Sequence, residues 1–418
     1  MLVNFSQLRR SLESGTLFLL TTRFLGKGLL LGFFLVLAGR LPPGDFLDLE
    51  VISSIFNFLI WLFLAATYSL ARIGSAFPID KLDRMLKGLF DRTLVPTLLV
   101  SVLLGIVVIG MGFLSDLVFG YQTFGLQVIM GSFALTQFLY SYLLGFHQAR
   151  ENYRLIGLCY LAPGLTALGA AVLFLFLELG LKAALLTYLL GAVMQLLIAY
   201  GSLRHNLFRV TSLPFEGIPK RITPGLIRIA LGLLLFFVIY SMDIFSAKLL
   251  LDPASGENYA RLEFLGRIFF TVVATAGFAF FVRIVRAYDD SRLHLPKLKI
   301  WPVILILILA AGSVLLLPYL YDVLFDAEID DLIGTMFMVV IAKIIQSFLF
   351  VVVTIKGATV SRFVLRWLGL VVVAQTILFI VSHDSVGAIA QNILLSGVFA
   401  AILFVVSLLL ERNRKAVR

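Results

Sequence analysis

Apolar runs of about twenty residues recur along the whole chain, and no connector between them is long enough to fold as a separate soluble domain. An α-helix rises 1.5 Å per residue, so each run matches the ~30 Å hydrocarbon thickness of a bilayer. In hydrocarbon every backbone N–H and C=O must be satisfied internally, which makes helices the expected form of such runs. Twelve spans are predicted, at 16–38, 50–72, 94–114, 125–146, 157–178, 183–203, 225–249, 260–282, 300–320, 333–355, 363–382 and 388–410. Composition agrees: the chain is 61% hydrophobic and 14% charged, against roughly 45–50% apolar content in soluble domains. The predicted class is an all-α integral membrane protein. Arg9 and Arg10 precede the first run as in a signal peptide, but that run exceeds a signal's apolar core and contains charge, so a retained helix is expected.

A net charge of +10 could suggest a nucleic-acid partner, yet the basic residues lie in short connectors between spans. Sorted by connector, 26 of the 34 Lys and Arg fall on the side of the N-terminus and 2, Arg40 and Lys182, on the other, with 6 inside spans. This is the positive-inside pattern, and it predicts cytoplasmic N- and C-termini. Outer connectors are short and acidic, as in residues 322–331. The connector 79–92 sets Ile79, Leu82, Met85, Leu86, Leu89 and Phe90 on one helical stripe opposite its charges, which predicts a helix lying on the inner membrane surface. A single cysteine, Cys159, rules out an internal disulfide, and the four histidines lack metal-ligand spacing. No cofactor is expected.

The longest inner connector carries Pro214, Gly217, Pro219 and Pro224 and divides the spans six and six. The expected organisation is a six-helix bundle at 1–203, a cytoplasmic linker at 204–224 and a second six-helix bundle at 225–418. Leu41-Pro-Pro-Gly-Asp-Phe46 follows the first span and Asp252-Pro-Ala-Ser-Gly-Glu-Asn-Tyr259 the seventh, a faint parallel repeat.

Charges inside the spans point to function. Arg23 and Lys27 are four residues apart, hence on one face of the first helix, and lie roughly 10 and 16 Å deep. Facing lipid, each would cost about 2.5–3.5 kcal/mol. The others are Asp243, Lys248, Arg261, Glu263, Arg267 and Lys343. Lys248 and Arg261 sit near span ends, where snorkelling is cheap, and Glu263 can pair with Arg267 along one helix. Asp243 is read as a charge partner or an ion-coupling acid. Six cations against two acids leave a surplus of positive charge in low dielectric, which an anionic ligand in a hydrated cavity would neutralise. A phosphate or pyrophosphate suits clustered Arg and Lys best, and Arg23, Lys27 and Lys343 are the leading contacts. Asn57, Gln137, Tyr140, Tyr142, Gln195 and Gln346 either line that cavity or bond helix to helix.

No GxxxxGK[ST], GxSxG or HExxH occurs, so neither a built-in ATPase nor a hydrolase is indicated, and transport is favoured over catalysis. The cationic first helix with Leu37-Ala-Gly-Arg-Leu-Pro-Pro-Gly-Asp-Phe46, together with residues Met242 to Arg261, resembles the oligosaccharide-lipid (O-antigen type) flippases of the multidrug/oligosaccharidyl-lipid/polysaccharide (MOP) exporter superfamily.

That resemblance implies a MATE-like, V-shaped pair of bundles around a cationic cavity in a bacterial inner membrane. It implies alternating-access export of undecaprenyl-pyrophosphate-linked glycan for surface polysaccharide biosynthesis, alongside a polymerase and glycosyltransferases of the same pathway. Arg23, Lys27 and Lys343 would hold the pyrophosphate, with Arg72 and Arg267 as helpers and Lys248, Gln137 and Asn57 as further contacts. Coupling to membrane potential, H+ or Na+ is left open, with Asp243 and Glu263 as the acids concerned. The alternatives are a cation-coupled multidrug exporter or a lipid II flippase of the same superfamily, and a non-transporting membrane assembly protein.

Overall fold

A computed structural model describes residues 5–38, 41, 45–119, 124–176, 180–207, 209–213, 223–267, 270, 318–319, 321, 325, 332–358 and 362–416. Among these residues the chain is all-helical. The helices are α1 (Phe5–Ala38), α2 (Asp45–Ser75), α3 (Leu82–Phe119), α4 (Phe124–Ala149), α5 (Tyr153–Phe176), α6 (Leu181–Leu207), α7 (Thr223–Leu250), α8 (253–267), α9 (Ile333–Ala358), α10 (Arg362–Val381) and α11 (Val386–Ala416). Eight are long and apolar enough to cross a membrane, which makes the chain a multi-pass membrane protein. Ten of the twelve expected spans fall on helices. The eighth, 260–282, is helical to residue 267 and otherwise lies almost wholly outside the described residues, as does the ninth, 300–320.

The chain forms two compact units. Unit 1 comprises Met1–Leu41 and Leu59–Thr223, and in it α1 packs along α5, α3 along α4, and α6 against both α4 and α5. Unit 2 comprises Pro42–Phe58 and Pro224–Arg418, with α11 packed against α9 and α10. The first half of α2 is thus built into unit 2, apart from the sequence half that contains it. Its side chains explain this: Asp48 pairs with Lys248 at 2.5 Å, Phe46 meets Phe264 edge-on at 6.3 Å, and Phe58 packs on Phe237 at 4.3 Å.

The amphipathic stretch expected on the membrane surface is instead a short 3-10 turn, Ile79–Lys81, running into the first turns of α3. Leu86, Leu89 and Phe90 are buried, and Phe90 packs on Phe146 at 5.6 Å. Its apolar stripe faces protein, because α4 offers a complementary aromatic surface. Arg150 anchors the same stretch through Asp83 at 3.0 Å. Between α4 and α5 the chain turns in three residues, with Glu151 at φ 54°, a left-handed conformation that non-glycine residues rarely adopt.

Asp252 begins α8. Its carboxylate accepts the backbone N–H of Ala254 and of Ser255, each at 3.1 Å, the usual N-cap arrangement. Hydrogen bonds from Ser255 hold its carboxyl below the ordinary carboxylate range. A lowered carboxyl stabilises the helix start above the ordinary range and loses that effect as pH falls through the lowered value. Asp252→Ala should therefore raise amide hydrogen exchange at residues 254–256 at neutral pH, with the difference from wild type shrinking in acid.

Candidate functional site

The charged residues singled out in sequence fall into two clusters, one in each unit. In unit 1, Arg23 projects from α1 and its guanidinium lies 4.4 Å from the centre of the Tyr160 ring on α5, within cation–π range. Tyr68 from α2 and Tyr140 from α4 are fully buried and within electrostatic reach of Arg23. Lys27, one turn further on, is exposed, Arg72 is buried near the end of α2, and Gln137 is buried on α4. The Tyr140 hydroxyl is buried without a hydrogen-bond partner among the described residues.

Sequence makes the charge of this unit one-sided. Residues 14–41, 59–79, 92–115, 124–149, 153–176 and 181–207 contain no Asp or Glu, whereas they hold Arg23, Lys27 and Arg72. The membrane segments of unit 1 therefore carry net positive charge at depth. The Tyr160 ring faces the Arg23 part of that charge.

Unit 2 is built on the opposite plan. Lys343 on α9 has no solvent exposure, and its ammonium lies 2.8 Å from Asp243 Oδ2 on α7 and 3.2 Å from Glu263 Oε1 on α8. It also donates to the Tyr240 carbonyl at 2.8 Å and sits 4.2 Å from that tyrosine's ring. Gly266, lying against the Lys343 stem, leaves room for it. Arg267 pairs with Glu263 at 2.5 Å and with Glu50 of α2 at 2.7 Å, and bonds Ser54 Oγ at 3.3 Å. Tyr259 donates to Asp243 at 2.9 Å. Among the described residues, three carboxylates against two cations leave this network with one excess negative charge. Nearer the span ends, Arg261 pairs with Glu257 at 2.7 Å and Lys248 with Asp48.

The sequence tally of six cations against two acids missed Glu50, which stands at the first residue of an expected span yet is completely buried. Its signal was present: Asp45, Asp48 and Glu50 open one helix, and only the two half-buried positions, Asp45 and Asp48, reach solvent. The structure brings Asp243, Glu263, Arg267 and Lys343 together. Asn57 is half-buried and belongs to unit 2, apart from Gln137 in unit 1. Several other polar residues join helices: Gln195 donates to the Cys159 carbonyl at 3.0 Å, Gln346 to Ile239 at 3.3 Å, and Tyr142 shares a 2.7 Å bond with Thr93. Among the described residues no group of His, Cys, Asp and Glu is arranged to hold a metal ion.

No family model and no curated protein matches the chain. Solved structures do. An outward-facing multidrug resistance MATE family transporter of the MOP superfamily superposes with a TM-score of 0.68 at 15% identity, covering 97% of each chain. A MATE in complex with MaL6 gives 0.69 at 15% identity, again over 97% of each chain. A eukaryotic MATE transporter gives 0.63 at 12% identity, over 97% of this chain and 98% of its own. Identity this low carries the fold and nothing finer, and over nearly its whole length this multi-pass chain has the fold of the MATE transporters.

Proposed function

We propose that the protein is a transporter that moves a lipid-linked, multiply anionic glycan, of the undecaprenyl-pyrophosphate class, from the inner to the outer leaflet of a bacterial cytoplasmic membrane. The observation that carries this reading is the net positive charge of unit 1, where Arg23 and Lys27 stand on one helix face and the neighbouring membrane segments supply no carboxylate. A pyrophosphate accepts charge-assisted hydrogen bonds from a guanidinium and an ammonium together. The MATE fold supports transport over catalysis. A negative-inside potential assists outward movement of negative charge by about 2.3 kcal/mol per charge per 100 mV.

In this reading Arg23 and Lys27 contact the anion, and Gln137 and Arg72 are secondary contacts of the same unit. Lys343, Arg267 and Lys248 are assigned to their carboxylate partners. The one excess negative charge among Glu50, Asp243 and Glu263 favours uptake of a proton, which gives the transporter a coupling site. The MATE neighbours give a second reading, export of cationic drugs, an observation of fold that the charge of unit 1 opposes.

The test is leaflet translocation in proteoliposomes. Arg23→Ala with Lys27→Ala should slow movement of a fluorescent pyrophosphate-linked oligosaccharide roughly tenfold or more, since each charge-assisted contact contributes about 1.5–3 kcal/mol. Undiminished translocation, or efflux of a cationic dye that survives the double substitution, would overturn the assignment.

A further inference from the structure

At the end of α6, outside both clusters, Gly201, Arg204, His205 and Arg209 line an open groove of about 360 Å³. Arg204, His205 and Arg209 are exposed, and no ion pair to any of them is found among the described residues. Gly201 forms part of the wall with nothing within 4 Å of where a Cβ would stand, so the absence of a side chain there keeps the groove open. The positive-inside count puts this end of α6 at the cytoplasmic surface.

The same helix continues upward as an apolar strip. Leu186, Leu190, Met194, Leu197 and Tyr200 are each between 43% and 58% exposed. Leu186 and Arg204 are separated by 18 residues, about five full turns, so the basic end and the apolar strip lie on one face of α6. A basic pocket standing directly beneath an acyl-facing strip matches an amphipathic anion, with its phosphate in the groove and its chains along the helix. Free phosphate would use the groove alone and leave the strip irrelevant.

We propose that this face of α6 is a binding site for a phospholipid with an anionic phosphate headgroup, drawn from the inner leaflet. The two guanidinium groups hold the phosphate, His205 closes the groove, and one acyl chain lies over Met194, Leu197 and Tyr200. The site stands apart from the charges assigned to transport, and its lipid binding does not depend on which substrate the transporter carries.

Native mass spectrometry of the full chain, purified with equal phosphatidylglycerol and phosphatidylcholine, tests this. Wild type should retain phosphatidylglycerol in preference, and retention should fall roughly fivefold for each guanidinium removed in Arg204→Gln and Arg209→Gln. Gly201→Phe fills the groove from an open position, so it should abolish the preference while leaving the unfolding midpoint unchanged; it decides the question if the arginine variants do not fold. Equal retention of the two lipids, a preference that survives all three substitutions, or complete displacement of phosphatidylglycerol by millimolar inorganic phosphate would overturn the proposal.

Discussion

Lys343→Met should destabilise the protein by about 3–5 kcal/mol, the usual effect of removing one partner from a buried ion pair. Lys343 is wholly buried between Asp243 and Glu263, so its loss leaves Arg267, among the described residues, as the one cation paired with these carboxylates. The excess negative charge doubles at a site without solvent to dilute it. The direction of the imbalance makes the prediction specific. Asp243→Asn alone should be milder, because removing one carboxylate from a network with a surplus acid leaves it neutral, although Tyr259 and the ammonium lose their charged acceptor. Lys343→Met combined with Asp243→Asn returns the wild-type charge and should recover most of the loss. Thermal unfolding of the three variants in one detergent measures all of this. If Asp243→Asn is the most damaging of the three, the carboxylates of this network are not in excess.

Much of the fold was legible because membrane helices announce themselves. Satisfying the backbone in hydrocarbon demands long apolar runs, and α4 through α7 and α9 through α11 follow them closely. What did not follow from the runs was where each helix belongs. Nothing in the local sequence of α2 says that residues 45–58 join unit 2; that is fixed by Asp48 and Glu50 finding Lys248 and Arg267 some two hundred residues away. The stretch 79–92 failed for a related reason, since an amphipathic stripe is equally suited to a lipid surface and to a protein surface, and only the aromatic face of α4 decides. The candidate site was half legible. Arg23 and Lys27 could be placed on one face from spacing alone, whereas Tyr68, Tyr140 and Tyr160 gather around Arg23 from three other helices with no sequence signature. Lys343 read as a contact for an anionic ligand, and its pairing with Asp243 and Glu263 rests on helices remote in sequence.

Gly164→Ala should destabilise unit 1 by about 1–3 kcal/mol, the range for forcing extra atoms into a packed interior. A methyl group at residue 164 would overlap the backbone of Gly26, standing 2.7 Å from its Cα and closer still to its carbonyl oxygen. Reciprocally, a methyl at Gly26 would strike the Tyr160 carbonyl. Two glycines facing each other let α1 and α5 approach backbone to backbone, the small-residue packing by which membrane helices gain contact without a hydrophobic driving force. Neither obstacle is a side-chain end that could swing aside, so the helices themselves must separate. That crossing lies between Arg23 and Lys27 on α1 and next to Tyr160 on α5, so separation also lifts the guanidinium from the ring it covers. Gly28→Ala is the matched control, with nothing within 4 Å of its added methyl, and should be neutral or stabilising by up to about 1 kcal/mol through helix propensity. Unfolding midpoints of opposite sign for the two substitutions would establish close helix approach as the cause. If Gly164→Ala is as well tolerated as Gly28→Ala, α1 does not pack on α5 at this distance, and the cradle holding Arg23 is not formed by that helix pair.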